Sequence, residues 1–267
     1  MPLRLSPTFR ERLAGASRPL IGMWACSGSP LIAEVDAGSG LDWLLIDMEH
    51  SANSLESVLV QLQVVAAYPI TPVVRVRFND LVDIKQVLDL GAQNILVPMV
   101  STAEEARAAV AATQYPPAGF RGVGSSLARS ARWNRVDGYL GDAAGHVSLT
   151  VQVETADAVE HAAQIAAVPG IDAVFVGPSD LAASMGHLGQ QSHPDVVAAV
   201  RRTFAAVKAA GKPVGVNAFD PDVAQRYIDE GADFLAVGAD VAMLARASEA
   251  LAARFIPESG QERRASY

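Results

Sequence analysis

The chain has 267 residues, half of them hydrophobic, and a formal net charge of −8 at pH 7. That length buries a sizeable core in one barrel or in two smaller domains, and an acid excess with no basic block against it argues against a nucleic-acid or anionic-membrane partner. A single cysteine, Cys26, rules out an internal disulfide and suits a reducing cytoplasm, and no run reaches the ~20 apolar residues of a membrane helix or the apolar stretch of a signal peptide.

Eight apolar runs follow in chain order, at 20–24, 43–47, 72–77, 94–99, 148–154, 173–177, 213–217 and 234–238. Continuous apolar runs of this length are what parallel strands covered on both faces look like. Helical stretches lie between them, among them 55–67, 103–113, 195–210 and 221–230. Four of the helical patterns close in glycine, with a polar residue two positions later and a strand after it: Gly40-Leu41-Asp42, Gly91-Ala92-Gln93, Gly170-Ile171-Asp172 and Gly231-Ala232-Asp233. Glycine there supplies the left-handed residue that ends a helix.

Eight strands alternating with helices predict an α/β chain folded as a single (β/α)8 TIM barrel over residues 1–256. A doubly wound sheet is the runner-up, but Trp24-Ala25-Cys26-Ser27-Gly28-Ser29-Pro30 is not the glycine-rich phosphate turn it needs. Residues 115–145 form a long excursion rich in Pro, Gly and Arg, expected to be functional or interfacial. Residues 257–267 are a polar tail expected to fray.

In such a barrel the chemistry sits where strands finish. Those positions hold Trp24, then Asp47-Met48-Glu49-His50, Arg75 and Arg77, Gln152 and Glu154, Ser179 and Asp180, Asn217 and Asp240. Glu154 and Asp180 close neighbouring runs, and on adjacent parallel strands they meet at one rim. Two carboxylates with no Cys or His cluster beside them suit Mg2+, Mn2+ or a similar hard cation; helix capping is the alternative for each. Alternation puts Arg75 and Arg77 on one face, inward or toward the barrel top, where a guanidinium calls for an anion. That anion is a substrate or enolate oxygen, or else Asp47 or Asp89 in a structural ion pair. His50 is the one histidine at a strand end and the candidate acid–base group.

The three lysines, Lys85, Lys208 and Lys212, lie in helices or before a strand. Schiff-base chemistry needs a lysine at the strand ends, so an enolate here must be held by metal and arginine. Nucleophilic catalysis lacks a base partner for Cys26 and lacks the Gly-x-Ser-x-Gly turn.

Trp43-Leu44-Leu45-Ile46-Asp47-Met48-Glu49-His50, Pro72-Val73-Val74-Arg75, Leu96-Val97-Pro98-Met99, the segment Tyr115-Pro116-Pro117-Ala118-Gly119-Phe120-Arg121-Gly122, Gln152-Val153-Glu154-Thr155 and Phe175-Val176-Gly177-Pro178-Ser179-Asp180-Leu181 together resemble the HpcH/HpaI family of metal-dependent class II pyruvate aldolases. The resemblance implies a divalent cation (Mg2+, Mn2+ or Co2+) on Glu154 and Asp180, and Arg75 on the pyruvyl oxygen. It implies His50 as acid–base group assisted by Asp47 and Asp89, Gln152 beside metal and substrate, the Ser179 and Asp180 amides on the pyruvate carboxylate, and Trp24 against the substrate. It further implies a cytoplasmic homo-oligomer, a hexamer or trimer, acting on a 2-oxo acid and an aldehyde. Met48 stands where relatives often have Gly and is expected to narrow the space beside His50. The rival enzyme is an acyl-CoA carbon–carbon lyase using Arg121, Arg129, Arg132 and Arg135 as its basic surface. The rival of another class is a non-catalytic metal–oxo-acid-binding barrel.

Overall fold

The computed structural model describes residues 3–256, so the proposed tail at 257–267 lies outside the described residues. Eight parallel strands close into a barrel in chain order: β1 Leu20–Ala25, β2 Trp43–Asp47, β3 Thr71–Arg75, β4 Asn94–Val97, β5 Ser148–Val153, β6 Ala173–Val176, β7 Val214–Asn217 and β8 Phe234–Ala239. The helices are α1 Phe9–Ala14, α2 Pro30–Ala37, α3 Leu55–Val65, α4 Leu81–Asp89, α5 Ala103–Thr113, α6 Ala156–Ala166, α7 Pro178–Ser184, α8 Pro194–Ala209, α9 Pro221–Asp229 and α10 Asp240–Phe255. None is long and apolar enough to cross a membrane. The single barrel is the predicted one.

Strand parity divides the core in two. Leu44, Ile46, Val74, Ile95, Val151, Val174 and Val216 point outward and pack with the inner faces of the helices. Trp43, Leu45, Val73, Leu96, Phe175, Phe234 and Ala236 point into the barrel and fill it. The same period of two, carried to the open ends of the strands, turns Trp24, Asp47, Arg75, Gln152 and Asn217 inward above that plug.

Two glycines make the inner layer possible. A Cβ on Gly22 would sit 2.5 Å from the Trp43 indole, and one on Gly215 would sit 2.4 Å from the Phe234 ring. From below, α1 closes the barrel. Thr8 and Glu11 form a capping box at its start, and the Phe9 N–H donates to Asn94 Oδ1 at 2.6 Å. The Phe9 ring then packs against Trp43 and Phe234 at 5.5 and 5.2 Å between centroids. No periodic pattern predicts this helix.

The excursion at 115–145 carries two short 3-10 turns, Arg129–Ala131 and Tyr139–Gly141, and a small core of its own from Ala131, Val136, Tyr139 and Ala143. Arg121 is fully buried within it, bonded to Asp89 and the Tyr139 hydroxyl and stacked over Tyr115. Arg129 donates to the Leu90 carbonyl and Arg132 to that of Arg129.

Replacing Gly215 with Ala should therefore destabilise the barrel by about 1–3 kcal/mol through overpacking against Phe234. Urea denaturation of that variant beside the parent checks this; an unchanged midpoint would mean that the ring moves aside freely.

Candidate active site at the strand ends

Trp24, Cys26, Asp47, His50, Arg75, Gln152, Phe175, Gly177, Ser179, Asp180, Asn217 and Phe219 line a cavity of about 250 Å³ at the C-terminal ends of the strands. Its fixed point is Arg75. Asp47 and Arg75 are partners in the β2–β3 register, and the Arg75 Nε donates to Asp47 Oδ1 at 2.7 Å. Its guanidinium carbon lies 4.3 Å from the centre of the Trp24 ring, and the Trp24 indole N–H is in turn held by Asn217 Oδ1 at 2.8 Å. Arg75 Nη1 also lies 2.7 Å from Glu49 Oε2. Its N–H bonds are not aimed at that oxygen, which has no hydrogen-bond donor among the described residues.

Arg77 departs from expectation. β3 ends at Arg75, the alternation stops there, and Arg77 pairs with Asp83 in the first turn of α4. Its side chain is 57% exposed against 5% for Arg75. Only Arg75 belongs to the pocket.

The two acids follow neighbouring strands. β5 and β6 are neighbours, and Glu154 follows the first while Asp180 stands in the first turn of α7, after the second. Glu154 is buried, with Oε1 accepting from the Met99 N–H at 2.7 Å and Oε2 from the Gln152 amide. Gly177 is required here by space, because a Cβ would come within 2.7 Å of Glu154 Oε2 and 2.9 Å of the Gln152 amide nitrogen. Burial pushes the Glu154 carboxyl up to about 7 despite those two donors, and the Glu49 and Asp180 charges add to the rise. Burial likewise raises Glu49, against the pull of Arg75.

These residues fit a hard divalent cation. The donor set is oxygen throughout, and the buried Gln152 Oε1 has no hydrogen-bond donor among the described residues. At α7 the N-cap, Gly177, offers no side-chain hydrogen bond, and N–H groups in the first turn of a helix have no intrahelical acceptor. The Ser179 and Asp180 amides are thus free to meet an anion.

His50 lines the mouth with its side chain 63% exposed, 3.8 Å from Glu49 Oε1. Asp47 does not touch the imidazole; its carboxylate accepts from the Glu49 and His50 backbone N–H groups at 3.0 and 3.2 Å and so shapes the loop. Asp89 is not brought to this group within the chain. It ends α4 and pairs with Arg121 at 3.3 Å. Met48 does not narrow the pocket either, since it is buried in the outer core among the helices. Asp240 anchors the loop after β1 by accepting from the Cys26 and Ser27 N–H groups. Burial, with Asp47 and Asp240 nearby, pushes the Cys26 thiol up to about 12, which leaves it un-ionised and a poor nucleophile.

The lysines stay away from the cavity. Lys212 donates to the Ile171 carbonyl and Lys208 pairs with Asp233. Of the excursion arginines offered for an acyl-CoA, Arg121 is buried and Arg129 and Arg132 are committed to other groups of this chain. Glu49, named at the end of β2 but given no role there, is the residue whose part the sequence reading missed: it reaches Arg75 Nη1 from beyond the strand, where no pleat fixes its direction.

A sequence model of the HpcH/HpaI aldolase/citrate lyase family matches residues 20–247. The chain is 53% identical over 247 residues to a 4-hydroxy-2-oxo-heptane-1,7-dioate aldolase of Salmonella dublin, covering 92% of this chain and 94% of the relative. It is 52% identical over 240 residues to the protein of that name from Shigella sonnei, covering 90% and 92%. A solved HpcH/HpaI aldolase/citrate lyase family protein from Burkholderia cenocepacia J2315 superposes with a TM-score of 0.88 at 42% identity, covering 92% of this chain and 97% of that one.

The raised Glu154 carboxyl has a measurable consequence. It holds its proton more tightly folded than unfolded, so metal-free stability should fall as pH rises from about 4.5 to about 7. Glu154→Gln should remove that slope and be more stable than the parent above neutrality, by about 1–3 kcal/mol. Urea denaturation in chelator across this range decides it; equal slopes in parent and variant would dismiss the buried-acid account.

Proposed function

The chain belongs to the HpcH/HpaI aldolase/citrate lyase family and is a carbon–carbon lyase of the aldolase type, and from that premise we propose that it reversibly cleaves 4-hydroxy-2-oxo acids to pyruvate and an aldehyde. The observation that carries this reading is a cavity lined by the buried Arg75 guanidinium, Gln152 and Asp180, with Glu154 buried near Asp180 at the neighbouring strand end and no lysine on the wall. The name of the relatives makes 4-hydroxy-2-oxo-heptane-1,7-dioate the first substrate to try.

Glu154 and Asp180 would hold the divalent cation (Mg2+, Mn2+ or Co2+), with the Gln152 side chain beside it. Such an ion supplies Lewis acidity toward the keto and carboxylate oxygens of a 2-oxo acid. The Ser179 and Asp180 amides receive the substrate carboxylate. Arg75 donates to the keto oxygen and donates more strongly as that oxygen gains enolate charge. Because Asp47 and Trp24 already fix the guanidinium, the donor needs no reorganisation during the reaction.

His50 takes the proton of the 4-hydroxyl. The C3–C4 electron pair flows into the pyruvate enolate as the aldehyde carbonyl forms and leaves, and protonation at C3 completes pyruvate. Trp24 and Phe175, packed edge to face at 6.2 Å, form the apolar floor that keeps water from the enolate carbon. The reverse order is aldol addition.

The same reading makes the enzyme a cytoplasmic homo-oligomer, a hexamer or trimer. The exposed Val241, Met243, Leu244 and Leu251 on α10 support it as an apolar surface that a second copy would cover.

Arg75→Ala should lower kcat by about 100-fold or more, the cost of losing one preorganised oxyanion donor. It should also slow exchange of the pyruvate methyl protons with deuterated solvent, followed by NMR; exchange at the parental rate would remove Arg75 from the enolate step. Chelation should abolish cleavage and added Mn2+, Mg2+ or Co2+ should restore it, whereas full turnover in metal-free protein would sink the cation assignment.

A further inference from the structure

Away from the cavity floor, His187, His193 and Asp195 form the one trio among the described residues whose candidate ligand atoms all lie within 4.8 Å of one another. We propose that they form a second metal site of different chemistry, selective for a nitrogen-preferring transition metal such as Zn2+. Two imidazoles and one carboxylate are a borderline-soft donor set suited to zinc, cobalt or nickel, whereas the all-oxygen rim suits harder ions.

The donor spacing is close to what such an ion needs. His187 Nε2 and His193 Nδ1 each lie 3.7 Å from the same oxygen, Asp195 Oδ2. Around a tetrahedral zinc with bonds of about 2.0–2.2 Å, neighbouring donors stand roughly 3.3–3.5 Å apart. The imidazoles are stacked with 3.7 Å between centroids and 16° between planes, so one ring must swing out of the stack for both in-plane lone pairs to meet a single ion beside the carboxylate. His193 Nδ1 already serves as an acceptor, taking the Asp195 N–H at 3.3 Å as the cap of α8. That ring is therefore in the tautomer a metal requires, and an ion would displace the long, weak cap bond that now occupies the lone pair.

The backbone presets both rings. The His187 N–H donates to the Ala182 carbonyl at 2.7 Å, Gln190 N–H to His187, and His193 N–H to Gln190, each of the last two at 2.9 Å. Pro194 then starts α8. The imidazoles are partly sheltered and the carboxylate faces solvent, with side-chain exposures of 25, 30 and 69%. Three protein ligands thus leave a fourth position open to water.

The same loop reaches the cavity, because Gln191 Oε1 accepts from the Ser179 hydroxyl at 2.9 Å. An ion clipping His187 to α8 would fix that loop over the first turn of α7. The site itself stands on the trio alone and does not depend on the aldolase reading.

The test is a titration of chelator-stripped full-length protein carrying Glu154→Gln and Asp180→Asn, which disables the oxygen rim. Co2+ should bind at one per chain, give a visible ligand-field band typical of nitrogen coordination, and be displaced by Zn2+. Adding His187→Ala or His193→Ala should abolish the band and weaken binding by at least about 100-fold, since loss of even an outer-shell partner costs roughly 10–100-fold. Should the rim variant fail to fold, wild-type protein should bind two Co2+ per chain, and His187→Ala or His193→Ala should lower that to one. No Co2+ binding in the rim variant, or binding of parental stoichiometry and strength in His187→Ala, overturns the proposal.

Discussion

At the mouth of the barrel Asp47 and Glu49 meet one guanidinium, Arg75, while Glu154 stands within reach of the Glu49 and Asp180 charges without an arginine of its own. Asp47 and Glu154 are buried, where an unpaired charge is costly. Asp47 meets that cost with Arg75 and two backbone N–H groups. Glu154 has only the Met99 N–H and the Gln152 amide, and its carboxyl is still pushed up to about 7. Such an arrangement carries more negative charge than its own donors can neutralise. Much else in the site sits with that excess: the glycine at 177 that makes room, the oxygen-only set of side chains, and the Gln152 Oε1 left without a hydrogen-bond donor among the described residues.

The fold was legible because a parallel barrel writes itself as continuous apolar runs, and the runs at 43–47 and 148–154 match β2 and β5 to within a residue. Parity then carried inward-facing residues into one place. That Glu154 and Asp180 follow neighbouring strands could be read because strands adjacent in sequence are adjacent in this architecture. Where regular structure ended, the reading failed. Arg77 lies two residues beyond β3, where no pleat constrains direction, and its nearest acid is on α4. Asp89 was assigned through family likeness alone. A helix from Leu81 to Asp89 carries the chain roughly 13 Å at 1.5 Å per residue back along the barrel, so within one chain Asp89 leaves the His50 end and meets Arg121 instead. Neither α1 nor the internal engagement of the excursion arginines had a periodic signal to betray it, because both depend on contacts far apart in sequence.

Met99 shows how the local backbone serves the charge problem. It adopts φ 54, a left-handed conformation that costs a non-glycine residue about 1–2 kcal/mol. That turn, just past β4, aims its N–H at Glu154 Oε1, and hydrogen bonds to a charged acceptor contribute about 1.5–3 kcal/mol. The two quantities are of one size, so the strain is sustained by the carboxylate it serves. Protonation of Glu154 weakens the bond and leaves the strain standing, which couples the backbone at the end of β4 to the charge state of the rim. The acid is consequently held in one orientation by strained main chain and by the Gln152 amide, and the position of its second oxygen is settled before any ligand arrives. Preorganisation of this kind is what lets a buried carboxylate bind a cation without first rearranging.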